Sequence, residues 1–141
     1  MPTQPNLQRF LDAQANAYPP ALAEIKAGRK RSHWMWYIFP QIQGLGFSEI
    51  SQHYAIRDAA EAAAYIQHPV LGARLREISG ELLKLPGSNA GSIFGSPDDL
   101  KLRSSMTLFG ALPGADPVFQ AVLDKFFASA PDSKTHQLLG K

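Results

Sequence analysis

No cysteine occurs anywhere in the chain, which removes disulfides, thiolate zinc sites, iron–sulfur clusters and cysteine nucleophiles at once. A surplus of one charge is also missing: 14 Lys and Arg face 12 Asp and Glu, for a formal net charge of +2. The bases are dispersed apart from Lys26 and the triplet Arg29, Lys30 and Arg31, whereas nucleic-acid binders usually carry a basic stripe. Nucleic acid is therefore not the expected partner. The longest apolar run, Trp34 to Phe39, is far short of the roughly 20 residues that span a bilayer. The start, MPTQPNLQRF, has neither the charged nor the apolar region of a secretory signal. The expectation is a soluble, cytoplasmic protein with no membrane partner.

What is present is an ordinary globular composition, 45% hydrophobic and 18% charged over 141 residues. That suits one domain covering residues 1–141, with an ordered core from about 6 to 139. No segment alternates convincingly between apolar and polar with period two, so strands are not indicated. Proline and glycine instead punctuate short stretches with helical periodicity.

Asn6 is placed to cap a first helix with Leu7, Phe10 and Leu11 on one face, which Pro19 and Pro20 should end after Tyr18. A second short helix carries Ala21, Leu22 and Ile25, and Gly28 stands where a left-handed C-terminal residue is wanted. The aromatic segment SHWMWYIFPQ, residues 32–41, suits a buried strand or a buried helix; Ser32 as N-cap and the lack of a partner strand favour helix. Ser48 is the next cap, and Asp58 with Glu61 matches a capping pair before the alanine-rich stretch to Ile66. Beyond His68 and Pro69, a longer helix carries Val70, Leu71, Leu75, Ile78, Leu82 and Leu85 at intervals of three or four. PGSNAG, residues 86–91, reads as a surface loop. Ser96 as cap, Pro97 at the first helical position and Asp98 with Asp99 at the positive end of the dipole open a helix reaching Phe109. Asp116 and Pro117 repeat the device, and Asp132 caps a last helix to Leu139. The fold class expected is all-α, a compact irregular bundle of about eight mostly short helices with little or no sheet.

The four histidines, at positions 33, 53, 68 and 136, show no metal-binding spacing, and no cofactor or metal is indicated. The turn at Gly44 to Gly46 lacks the lysine and the preceding strand of a phosphate loop. Two stretches carry chemistry. On the last long helix but one, Asp98, Lys101, Ser105 and Leu108 fall three or four residues apart and share a side, with Arg103 and Ser104 adjoining. Such a face can hold an anionic ligand; it also reads as a helix start with the surface ion pairs Asp98–Lys101 and Asp99–Arg103, which stabilise little. In residues 29–41, bases lead into His33, Trp34, Trp36 and Gln41. Aromatic walls with a few polar groups suit a pocket, and the same rings suit the centre of a core.

Taken in order, SHWMWYIFPQ, GLGFSEIS, HPVLGARL and IFGSPDDLKLRSSMTLF resemble the signature of an uncharacterised bacterial family, the domain of unknown function numbered eighteen-ten. The likeness runs from about Leu7 to Leu139 and implies an all-helical single domain. It supplies no catalytic residue, substrate or cofactor. The calpastatin label carried by some members does not suit this chain, because that inhibitor is largely disordered and this composition is globular.

Two functional expectations follow. One is a small-molecule-binding domain or enzyme for an anionic, ring-containing, nucleotide-like metabolite. In it Lys101 and Arg103 hold the anion, Trp34 or Trp36 stacks on the ring, and His33 is the acid–base group, with Gln41, Asp98, Ser104 and Ser105 alongside. The other is a non-catalytic module that docks a protein or nucleic acid. The oligomeric state is left open.

Overall fold

The computed structural model describes residues 7–140. Among them the chain forms nine helices: α1 (Gln8–Lys26), α2 (Met35–Ile38), α3 (Glu49–His53), α4 (Ala59–Gln67), α5 (Leu71–Leu83), α6 (Ala90–Phe94), α7 (Asp98–Gly110), α8 (Pro117–Phe126) and α9 (Ser133–Leu139). No strand occurs among the described residues; a lone parallel bridge joins Ile42 to Ile56. The chain is thus all-helical, around one apolar core that runs from Phe10 to Phe126. No helix among the described residues is long and apolar enough to cross a membrane.

The first two expected helices are one. α1 continues through Pro19 and Pro20, although each proline lacks an N–H and crowds the carbonyl four residues back. Both prolines are exposed, and so are Ala15 and Asn16, whose carbonyls lose their helical donors on the solvent side of the helix. The buried face meanwhile continues unbroken through Phe10, Gln14, Tyr18, Ala21 and Ile25. Burial of a side chain of that size is worth about 1.5–3 kcal/mol, and several of them outweigh the proline penalty. The expected cap at Asn6 lies outside the described residues. At the other end Gly28, at φ 82°, closes α1: its N–H reaches the Ile25 carbonyl at 2.9 Å, and the Arg29 N–H reaches Glu24 at 3.0 Å.

Ser32 does not cap a helix. The Glu24 carboxylate accepts hydrogen bonds from the Arg31 N–H (2.7 Å), the Ser32 N–H (3.0 Å), the Ser32 hydroxyl (2.7 Å) and the Trp34 indole N–H (2.9 Å). These bonds hold residues 31–34 as a loop against α1, so the aromatic segment keeps only the single turn of α2. Trp34, Met35, Ile38 and Phe39 are buried, with Trp34 and Phe39 packed on Phe94 at ring distances of 6.4 and 5.9 Å.

Four expected caps are in place: Ser48, Asp58, Asp116 and Asp132 each accept from a backbone N–H of the first helical turn. Ser96 does not. α7 starts at Asp98 after Pro97, and its first turn is tied by the Asp99 N–H to the Gly95 carbonyl at 2.9 Å. The loop expected at residues 86–91 ends early, because Asn89 accepts from the Ser92 N–H and starts α6. α7 is the central helix, packed on α4, α6, α8 and α9. Apart from Arg103 it is buried from Leu102 to Phe109, so the polar side expected to include Ser105 and Leu108 ends at Ser104.

Partial burial pushes the Glu24 carboxyl up, but its four donors outweigh that and hold it near a pKa of about 2, below the ordinary 4.5. Its contribution is therefore complete above about pH 4.5 and disappears as pH falls through about 2. Glu24→Gln should lower unfolding stability at pH 7 by about 2–4 kcal/mol, given the strength of charge-assisted bonds, and flatten the acid limb of stability against pH in denaturant titrations. An unchanged acid limb would remove Glu24 as the anchor. Pro20→Ala should act oppositely, restoring a donor to Asn16 and raising stability by about 1–3 kcal/mol; a lower thermal midpoint would contradict the account of α1.

Candidate functional site

Three segments of the chain, the third remote in sequence from the other two, enclose a half-open cleft of about 220 Å³. The first runs from Trp36 of α2 through Gln41 and Ile42 to Gly46. The second is α3 and the turn after it, contributing Ser51, Tyr54 and Ala55. The third is the start of α7, contributing Pro97, Leu100, Lys101 and Ser104.

Backbone bonds hold the first two together, from the Gln43 N–H to the Ile56 carbonyl (2.7 Å) and from the Ile56 N–H to the Gln41 carbonyl (2.8 Å). The Arg9 guanidinium of α1 then grips the second wall from behind. It donates to the carbonyls of His53 (2.8 Å) and Ala55 (2.9 Å) and pairs with the buried Glu61 carboxylate at 3.0 Å. The Tyr54 ring, between those carbonyls, packs against Phe10 and Tyr37 at 5.9 and 5.1 Å. Neither Arg9 nor Tyr54 carried any sequence signal, since each depends on a partner more than 40 positions away.

Gly46 shapes the rim. A Cβ there would lie 2.7 Å from Ser51 Cβ and 2.8 Å from its hydroxyl, so only glycine lets the loop rest against α3.

Within the cleft the charged element is Lys101. Its ammonium lies 4.9 Å from the Trp36 ring centroid and 3.3 Å from Asp98 Oδ1. Gln41 lines the cleft, and its side-chain amide makes no hydrogen bond with another described residue. The Ser104 hydroxyl donates to the Leu100 carbonyl at 3.2 Å and keeps its lone pairs.

Of the residues singled out from sequence, Trp36, Gln41, Lys101 and Ser104 line the cleft, and Asp98 stands behind Lys101. The others do not line it. His33 is exposed, and its carbonyl accepts from the Tyr37 hydroxyl at 3.2 Å. Trp34 is buried in the core with its N–H on Glu24. Arg103 forms no pair with Asp99; it reaches the carbonyls of Ala130 and Pro131, both at 3.0 Å, and secures the turn before α9. Ser105 is fully buried, and its hydroxyl has no hydrogen-bond partner among the described residues. The Asp98–Lys101 pair forms as expected. No group of three or more His, Asp and Glu among the described residues could hold a metal ion.

A second hollow of about 400 Å³ lies between the end of α1 and the start of α6. Two of its polar side chains are engaged with one another's segment: Asn89 caps Ser92, and the Ser92 hydroxyl returns to the Asn89 carbonyl. It contains none of the candidate ligand-binding or catalytic residues named from the sequence.

The architecture and the cleft define a single-domain, all-helical protein with a small half-open hollow at the mouth of its central helix. A family model described as "Protein of unknown function (DUF1810)" matches residues 4–139, and the chain belongs to that family. It is also similar to a solved structure, the conserved hypothetical protein Rv1873 from Mycobacterium tuberculosis. The two are 46% identical, the match covers 97% of this chain and 98% of that one, and the TM-score is 0.94. No curated protein matches the chain.

Gly46→Ala should cost about 1–3 kcal/mol of stability through the forced contact with Ser51, and Ser51→Gly in the same chain should recover most of it. A double variant no more stable than Gly46→Ala would refute the contact, as read from denaturation midpoints.

Proposed function

We propose that this chain is a small-molecule-binding domain whose cleft takes an anionic, ring-bearing, nucleotide-like ligand. The observation that carries this reading is the Lys101 ammonium held over the face of Trp36 inside a cleft. A cation over an indole is favoured by about 0.5–2 kcal/mol, and it stations a positive charge beside a flat surface. A ligand ring packs against the part of Trp36 that Lys101 leaves uncovered while its anionic group takes the free N–H bonds of Lys101. The Gln41 amide offers one donor edge and one acceptor edge to the ring's polar atoms, and Ser104 adds an acceptor.

At about 220 Å³ the cleft is below the roughly 300 Å³ at which ligand pockets usually begin. It accommodates one ring and its charged group, with the rest of a larger ligand outside. His33, the expected acid–base group, does not line the cleft, so the reading is one of binding, with no reaction assigned to that residue.

The alternative, a non-catalytic docking module, has its own observation. Phe47, next to Gly46, is 83% exposed, and Leu100 on the opposite wall is 55% exposed, an apolar rim of the kind that partner surfaces use. The two readings separate experimentally. Thermal-shift and tryptophan-fluorescence titrations with nucleotides and NAD-derived metabolites should stabilise the parent, and Trp36→Phe should remove the fluorescence response. Lys101→Met should weaken binding at least tenfold, which is about 1.4 kcal/mol. Equal stabilisation of parent and Lys101→Met would dismiss the cleft. Binding to nucleic acid that weakens steeply with salt, in the absence of any small-ligand shift, would favour the module.

A further inference from the structure

The Asp98 carboxylate is shared between two ammonium groups. Its Oδ2 lies 3.0 Å from Lys30 Nζ and its Oδ1 3.3 Å from Lys101 Nζ. Each ammonium also lies over a different indole, Lys30 at 5.1 Å from the Trp34 ring and Lys101 at 4.9 Å from that of Trp36. Lys30 is nearly buried, with a side chain 8% exposed, and also donates to the Ser32 carbonyl. Lys101 and Asp98 are more open, at 24% and 20%. Only Lys101 of the three lines the cleft. Glu24 spends its oxygens on backbone N–H groups, the Ser32 hydroxyl and the Trp34 N–H, and Asp99 accepts from the Leu100 N–H; neither pairs with Lys30 or Lys101.

We infer that Asp98 sets the charge of the anion the cleft accepts. Within this three-membered contact, two lysines and one carboxylate leave one positive charge, and Lys101 is the member that reaches the cleft. A ligand with one negative charge balances it. A second negative charge on the same group meets no other cation among the residues lining the cleft and faces the Asp98 carboxylate just behind Lys101. Like charges a few ångströms apart at a partly exposed site repel enough to shift binding on the order of tenfold. The favoured ligand is a flat ring bearing a singly charged oxyanion, such as a sulfate ester, a carboxylate or a phosphodiester, ahead of a phosphomonoester. This inference rests on the cleft being a binding site.

Two esters of the same shape separate the charge from the fit. At pH 8 phenyl sulfate carries one charge, and phenyl phosphate carries two because the second ionisation of a phosphomonoester falls near pH 6. Calorimetric titration of the parent should show phenyl sulfate binding at least as tightly as phenyl phosphate. Asp98→Asn should raise affinity for the phosphate on the order of tenfold relative to the sulfate. Lys30→Met, which leaves Asp98 to Lys101 alone, should weaken both and the phosphate more. It also decides the matter if Asp98→Asn does not fold by circular dichroism. Binding of both esters with the same affinity ratio in the parent and in whichever variants fold would overturn the role of Asp98 and leave the cleft standing. Failure of either ester to bind the parent or the folded variants would overturn both.

Discussion

The Glu24 carboxylate, on the last turns of α1, is the point from which the aromatic half of the molecule is hung. It collects two backbone N–H groups, a hydroxyl and an indole N–H from residues 31–34. Trp34 is thereby carried into the core, where it packs with Phe39 and Phe94. Because Trp34 is turned inward, α2 begins at Met35, and Trp36 is left half-buried at the edge of the cleft. A charge-assisted bond is stronger than a neutral one, and four on one carboxylate outweigh the helical preference that Ser32 would otherwise express. The division of labour between the two tryptophans, one structural and one facing the cleft, follows from this contact.

The cleft is assembled by polar bonds to carbonyls rather than by apolar packing alone. Arg9 holds the carbonyls on either side of Tyr54, and the Ile42–Ile56 bridge fixes the floor. Arg103 performs a similar task at the turn before α9. Arginine suits this work, since its planar fork offers several donors in fixed directions and keeps its charge when partly buried. Side chains that look free for ligands in the sequence are thus spent on backbone oxygens, and the charge left to the cleft is that of Lys101.

Local signals were reliable where the physics is local. Ser48, Asp58, Asp116 and Asp132 cap the helices they precede, because a cap involves only the next three residues. The signals misled where a distant group competed. Pro19 and Pro20 lie within α1 because the buried face on either side of them is continuous. Ser32 was taken by Glu24, eight positions earlier. Ser105 and Leu108 share a side with Asp98 and Lys101 on a helical wheel, yet burial separates them, since α7 is surrounded by helices from Leu102 onward. Of the candidate site, Trp36, Gln41, Lys101 and Ser104 were legible as residue types in suggestive stretches. Tyr54, Ser51 and the close contact at Gly46 were not, because nothing in their neighbourhoods records which segment they meet.

By itself the sequence determined the helical class, the positions of most helix starts and the family, since capping, periodicity and ordered motifs are written along the chain. Only the tertiary structure decided which of two tryptophans is core and which faces solvent, which arginines are committed to carbonyls, and that residues 36–46, 51–55 and 97–104 enclose one hollow. Those outcomes depend on contacts across tens of residues, where burial and hydrogen bonding between remote groups override what each segment prefers alone.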